Sequence, residues 1–499
     1  MSSKQYFKLL ATILPLLSCT QEKKQQPNLL FIFTEQQTDK TLEVYGNNQF
    51  IVPNLNKLAK ESVVFMNTYV ACPVSSPSRG AIMTGLYPQA HGAISNNIPL
   101  LQSAKTLPEL VNTDGQYTTA YMGKWHLGDE AFAQHGFSEW VSTEDGYAKF
   151  FSTNRDPSEK TSYYKFLQAQ GLPVEEHIKG LRNYVTTLPY EQSKPQFLAN
   201  NACAFLEKNK AHPFILYVNY LEPHSPFSGP FNDLLKNDSL TLNDNIGCIL
   251  GHDDPLRYMM KTNNKNSNAA KFLSIKRRYA GLCYEVDLSV GQILGKLKEL
   301  GLMDNTIIVF TSDHGEMMGS HGLSGKGVMF EEAMRVPLLM HIPELYKKGQ
   351  IKVNTPVCNV DIVPTLLDLM GRSSQKEGLQ GESLLPMIQG NEPELRYIFL
   401  VWNPNNLEEK KAVPKSFKNM NSEEIKKYFW ASFRTVISSD GWKLTLSDVD
   451  KNQLFNLNED RGECNNLYYT GKYGDYIKHL SEQIAAWQKR TGDTLMLKM

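Results

Sequence analysis

The sequence predicts an α/β protein with a large mixed, mostly parallel central sheet flanked by helices, and a smaller C-terminal antiparallel sheet with a helix. Three observations carry this. First, short continuous apolar runs recur at Leu29–Phe33, Tyr117–Tyr121, Phe214–Tyr220, Thr306–Phe310 and Val336–His341. Runs of this length suit strands buried on both faces. Second, helical patterns lie between them, at Asn54–Ser62, Leu107–Val111, Pro195–Lys208, Ala269–Leu300 and Val360–Met370. Alternating strands and helices argue for helices layered on a parallel sheet. Third, the pattern changes after Pro386. Short strands are expected at Arg396–Trp402, Phe433–Ser438, Trp442–Leu446 and Leu454–Leu457, then an amphipathic helix at Asp475–Lys489.

Each part of the chain has its own logic. Lys4 and Lys8 precede an apolar run from Leu9 to Leu17 that ends in Leu16-Leu17-Ser18-Cys19. A basic start, a short apolar core and small residues at the cut site make an export signal, too short to span a bilayer as a mature helix. The ending resembles a bacterial lipobox, which places a lipid on Cys19. The expected division is a lipoprotein signal peptide over 1–19, a tether over 20–26, a catalytic α/β domain over 27–386 and a C-terminal α+β subdomain over 387–499. The stretch Asn232–Asn268 is rich in Asn, Asp and Lys and is expected to be a surface insertion.

Composition narrows the function. Lys+Arg and Asp+Glu are both 52, so no global field favours nucleic acid or an anionic membrane. No nucleic-acid partner is expected, and membrane contact is expected only through the lipid. An anionic substrate must then be held by a local site. Seven cysteines are present, none in a C-x-x-C pair, which argues against zinc-finger or thioredoxin chemistry. Most should be small buried residues, with one or two disulfides in an oxidising compartment.

Reactive side chains collect just after the predicted strands. Phe33 leads to Thr34-Glu35-Gln36-Gln37, Met122 to Gly123-Lys124-Trp125-His126, Leu221 to Glu222-Pro223-His224, and Phe310 to Thr311-Ser312-Asp313-His314-Gly315. In open α/β sheets, ligands bind beyond the carboxyl ends of the strands, so these sets should converge on one crevice. The segment Cys72-Pro73-Val74-Ser75-Ser76-Pro77-Ser78-Arg79 adds a nucleophile. Pro77 suits the first turn of a helix, which puts Ser75 at the positive end of that helix, where anions are favoured.

Ser75-x-Pro77-Ser78-Arg79, with Thr84-Gly85 and Leu86-Tyr87-Pro88 following, resembles the signature of the type I sulfatases of the alkaline phosphatase superfamily. The resemblance continues in family order through Pro27-Asn28, Gly123-Lys124-Trp125-His126-Leu127-Gly128, Pro223-His224, Ser312-Asp313-His314-Gly315-Glu316 and Arg335-Val336-Pro337. It extends through Asp361-Ile362-Val363-Pro364-Thr365 to Leu454-Phe455-Asn456-Leu457. It implies that a dedicated maturase oxidises Ser75 to formylglycine, the serine-type variant. A hydrated aldehyde at Ser75 would attack sulfur with one hydroxyl and expel sulfate with the other.

The resemblance further implies a divalent cation, usually Ca²⁺, with Glu35, Gln36, Asp313, His314 and the Ser75-derived oxygen as ligands. This chain departs from the commoner pattern, since Glu35-Gln36 replaces a pair of aspartates and His314 stands where Asn is frequent. Lys124 and Lys326 match the sulfate-binding lysines, and Arg79 holds the nucleophile loop. His126 is expected to be the base for the second hydroxyl, and His224 the acid for the leaving oxygen. His91 is expected to be structural. Trp402 and Asn403 suit either sugar contact or, for Trp402, the core. The implied activity is hydrolysis of O-sulfated carbohydrates by an exported, lipid-anchored enzyme in the periplasm or at a bacterial surface. Two rivals are a two-zinc phosphatase of the same superfamily, with unmodified Ser75, and a silent glycan-binding protein.

Overall fold

The computed structural model describes residues 26–144, 150, 152, 155–156, 158–177, 180–236, 239–261, 269–404 and 420–498. The signal peptide, Cys19 and nearly all of the tether lie outside the described residues.

The central sheet has eight strands: β1 (Asn28–Thr34), β2 (Val63–Phe65), β4 (Thr118–Gly123), β5 (Glu139–Ser142), β6 (Phe214–Asn219), β7 (Thr306–Ser312), β9 (Leu338–His341) and β10 (Ile351–Val353). Their order is β10-β2-β9-β7-β1-β6-β4-β5. The strands β7, β1, β6, β4 and β5 run parallel, while β9 is antiparallel to both β7 and β2. The period of two along β1 explains its continuous apolar sequence. Leu30 and Ile32 face one core with the helices Pro53–Lys60, Lys194–Asn209 and Ala269–Glu299. Leu29, Phe31 and Phe33 face the other, with Ile82 and Met83 of the helix Ser75–Thr84 and with the helix Ile362–Leu369.

Two expectations change. The run Val336–His341 is not one strand. Pro337 lacks an amide donor and breaks it, so β8 (Arg335–Val336) joins β3 (Thr68–Tyr69) and β11 (Val357–Cys358) in a separate three-stranded sheet. The Asn232–Asn268 stretch is also more than a surface insertion. Leu240, Asn245, Arg257 and Tyr258 are buried, Cys248 is disulfide-bonded to Cys464, and the Asp450 carboxylate accepts from the amides of Leu256 and Arg257. Polar composition hid these anchors because long-range partners leave no local signature. Among the described residues Cys72, Cys203, Cys283 and Cys358 are free and buried.

After Pro386 the chain forms a four-stranded antiparallel sheet in the order β12-β13-β14-β15, made of Tyr397–Trp402, Phe433–Ser438, Trp442–Ser447 and Gln453–Asn456. The helix Gly474–Thr491 packs on it through Leu480, Ile484 and Trp487. That core also takes in Tyr69, Val74 and Val328, and so supports the segment carrying Ser75.

Candidate active site

The Ser75 helix starts where the sequence places it. Val74 is extended, Ser75 is the first helical residue, Pro77 lies in the first turn, and Gly85 caps the end with φ 69°. Gly80 is required by its neighbour, because a Cβ there would lie 2.4 Å from the His91 ring. His91 is fully buried, with Nε2 3.1 Å from the Pro77 carbonyl oxygen, a structural position beneath the helix.

Parallel strands bring the other residues to Ser75. Glu35 follows β1, Asp313 and His314 follow β7, and Thr34 is in register with Ser312. The Ser75 hydroxyl donates to Glu35 Oε1 at 2.7 Å and lies 3.1 Å from His314 Nε2. His314 Nδ1 is 3.0 Å from the Gly315 carbonyl oxygen, which places the ring proton on Nδ1. The Nε2 lone pair therefore faces an oxygen whose proton is already given to Glu35. Ligand atoms of Glu35, Asp313 and His314 all lie within 4.8 Å of one another. Two carboxylates and an unprotonated imidazole nitrogen around one buried point form a donor set that fits a divalent cation. Gln36 adjoins this point at φ 70°, but its Oε1 accepts from Lys326 Nζ at 2.6 Å and its amide donates to Glu316.

Cations ring the same point. Arg79, fully buried, donates from Nε to Asp313 Oδ2 at 3.0 Å and from Nη1 to the Lys124 carbonyl at 2.9 Å and Asn219 Oδ1 at 2.7 Å. Lys124 Nζ is ion-paired to Glu35 Oε2. Lys326 Nζ and His224 Nε2 approach Glu35 Oε1 to 3.9 and 3.6 Å. Burial opposes a charge on Glu35, yet Lys124, His224, Arg79 and Lys326 together hold its carboxyl well below the usual range. Burial lowers the Lys124 pKa, partly offset by Glu35, and brings Lys326 down to about 8. Burial and then Lys124 push His126 well below its ordinary value; burial and then Lys326 do the same to His224. Burial takes His314 down to about 4.

The structure thus gathers Ser75, Arg79, Glu35, Gln36, Asp313, His314, Lys124, Lys326 and His224 into one crevice. His126 is joined to it through Ser76, whose hydroxyl donates to the His126 carbonyl at 2.9 Å. His126 Nε2 is 3.0 Å from Asn97 Oδ1. Asn97, Asn219, Glu130 and Glu316 are supporting residues that the sequence reading did not assign. Asn219 ends β6, so the strand-end rule that exposed the others could have found it. Trp402 belongs to the core, 6% exposed, with the Arg257 guanidinium 4.3 Å above its ring.

Comparison with known proteins agrees with this geometry. The sulfatase family model matches residues 27–372, and the C-terminal model of N-sulphoglucosamine sulphohydrolase matches residues 319–490. The chain is 29% identical to an ulvan-active sulfatase of Formosa agariphila, over 77% of this chain and 69% of that protein. It is 25% identical to an N-acetylglucosamine-6-O-sulfatase of Bacteroides thetaiotaomicron, over 96% of this chain and 90% of the relative. In fold it resembles the phosphonate monoester hydrolase of Agrobacterium radiobacter, with a TM-score of 0.75 at 22% identity, covering 93% of this chain and 96% of the other. The Ser75 helix facing a buried carboxylate, imidazole and lysine cluster, inside a family match covering most of the chain, makes this protein a member of the sulfatase family and a hydrolase of sulfate esters.

Proposed function

We propose that the protein removes sulfate from O-sulfated carbohydrates through a formylglycine formed by oxidation of Ser75. The observation that carries this reading is the Ser75 hydroxyl at a helix N-terminus, 2.7 Å from Glu35 and 3.1 Å from His314, with Arg79, Lys124 and Lys326 converging on the same carboxylate. The ulvan-active and N-acetylglucosamine-6-O-sulfatase relatives support a carbohydrate substrate. Oxidation removes two hydrogens from Ser75 and requires a maturase. The hydrated aldehyde would supply one hydroxyl to attack sulfur and a second to expel sulfate, a release that plain serine lacks.

Glu35, Asp313, His314 and the oxygen of residue 75 would hold the cation, while the Gln36 oxygen is taken up by Lys326 instead. Hard oxygen donors favour calcium, which would supply Lewis-acid and template chemistry there. Lys124 and Lys326 neutralise sulfate oxygens, and Arg79 fixes Asp313 and the Lys124 backbone. His126, kept neutral by burial and Lys124, accepts the proton of the second hydroxyl. His224 delivers a proton to the leaving oxygen. Burial and then Lys326 keep its pKa low, and an arriving sulfate anion offsets that cation and favours the imidazolium. Hydrolysis consumes one water and yields the free alcohol and sulfate.

We further propose export and lipidation at Cys19. The basic and apolar leader supports this, and the Cys248–Cys464 disulfide suits an oxidising compartment. Membrane fractionation of Cys19→Ala against the parent tests it; equal membrane association refutes the anchor. The catalytic proposal is tested by mass spectrometry of the peptide containing Ser75 and a panel of sulfated mono- and disaccharides. Loss of two hydrogens together with sugar desulfation is expected. Full turnover by protein with unmodified serine overturns it.

A further inference from the structure

The loop leaving β4 carries Lys124 and His126 within three residues of its first turn. Gly123 has φ 120°, and a Cβ there would lie 1.8 Å from the Asn219 carbonyl oxygen, so the chain turns hard against β6. His126 then adopts φ 59°, a left-handed conformation that is costly for a residue with a Cβ. Glu130 supports it. Its Oε2 accepts from the Trp125 amide at 2.8 Å and its Oε1 from the His126 amide at 2.7 Å. Two successive backbone amides aimed at one carboxylate form an anion-binding nest, here filled by the protein's own side chain. The Trp140 indole donates to the Glu130 carbonyl at 2.7 Å and fixes the clamp at its other end. Glu130 is 3% exposed.

We propose that Glu130 is a positioning residue of the sulfatase site: its ionised carboxylate locks the Trp125 and His126 amides and so aims Lys124 and His126 at the sulfate. This rests on the roles given above to those two side chains. A protonated Glu130 offers a donor where an acceptor is needed, so the clamp loosens as pH falls. Burial pushes the Glu130 carboxyl up to about 7, opposed by the Trp125 and His126 amides. Glu144, beyond β5, raises it further, and Lys124 lowers it. Among the described residues, Tyr121 on β4 and His126 also face it. Tyr121 is held far above neutrality and His126 well below its ordinary value, so neither titrates near 7. His314 at about 4 and Lys326 at about 8 also fall on either side of that window.

The test uses the matured, metal-loaded enzyme with 4-nitrophenyl sulfate from about pH 5 to about pH 9. The parent should lose kcat/KM as pH falls through about 7. Glu130→Gln sets an amide donor against one of the two N–H groups. It should be about tenfold slower on the alkaline side and lack that acid limb. Glu130→Asp should keep a limb and recover part of the rate. A parent profile flat through that range overturns the proposal, as does a Gln variant that keeps the parent profile. Calorimetric binding of inorganic sulfate provides a readout free of turnover. Affinity should weaken about tenfold in Glu130→Gln and fall with Glu130 protonation in the parent; identical sulfate titrations in the two proteins overturn the clamp. Should the parent bind sulfate with the expected profile yet hydrolyse no sulfate ester, the catalytic proposal fails and the clamp stands.

Discussion

The two sides of the crevice are built differently. On the Ser75 side, Ser75 and Glu35 are 1% exposed, and Asp313 and His314 are 0%. Their polar atoms are committed to one another, to Arg79 and to Lys124. On the opposite side, the His224 and Lys326 side chains are each 17% exposed. Attack on sulfur is the same for every sulfate ester, so its groups can be sealed in a dry, preorganised cluster where charge–dipole interactions are strong. In the proposed mechanism the leaving alcohol differs between substrates and must enter and leave, so His224, which would meet it, keeps some access to solvent, and Lys326 next to it shares that opening.

This contrast orders the expected effects. Ser75→Ala removes the covalent route and should lower turnover at least about 10⁴-fold for every sulfate ester. Retained turnover within tenfold of the parent would mean that the sealed side is not where chemistry occurs.

His224→Ala should separate substrates. Positioned general acids contribute about 10²–10⁴-fold. A sugar hydroxyl leaves poorly without a proton, whereas a nitrophenol leaves well. The variant should therefore lose far more rate on a sulfated sugar than on an aryl sulfate. His126→Ala should slow both alike and let a sulfate adduct build up on residue 75, visible as intact-protein mass during turnover. Equal losses for His224→Ala, with the adduct trapped there instead, would exchange the two roles.

Chelation should abolish activity, and calcium should restore it. Calcium at about 100 times its dissociation constant should also add about 2.7 kcal/mol of stability, read as a rise in Tm. No change on chelation would remove Glu35, Asp313 and His314 from metal binding, and zinc alone restoring the rate would replace calcium as the ion.

The smallest effect on catalysis is expected at the Cys248–Cys464 disulfide. Cys248→Ser should cost about 2–4 kcal/mol of stability by releasing a cross-link between residues 216 apart in sequence. It should leave kcat near the parent value for the molecules that remain folded. A large fall in kcat without a change in Tm would instead tie this strap to the site.

Much of this arrangement was legible in the chain because its causes are local. The helix Leu107–Val111 and the strand Phe433–Ser438 occur with their expected ends, since apolar periodicity and punctuation by polar residues act within a few positions. Pro337 gave a visible warning in the Val336–His341 run; a missing amide donor cannot be accommodated inside a central strand. Gln36 shows the opposite limit. Residue type makes it a plausible metal ligand, but only the fold brings Lys326 Nζ within 2.6 Å of its oxygen.

By itself, the sequence determined that carboxylates, imidazoles and Lys124 would follow the strands, because chain direction delivers strand-end residues to one edge of a parallel sheet. It also determined the start of the Ser75 helix, through Pro77. The tertiary structure alone decided which charges neutralise one another. Glu35 meets Lys124 and Arg79 across separations of 89 and 44 residues. It also decided that Cys248 pairs with Cys464, and that Glu130 folds back on His126 while Asn97 reaches it from another loop. Such pairings depend on how separate loops pack above the sheet. Coulomb and hydrogen-bond energies depend on distance in space, which residue spacing along the chain does not specify.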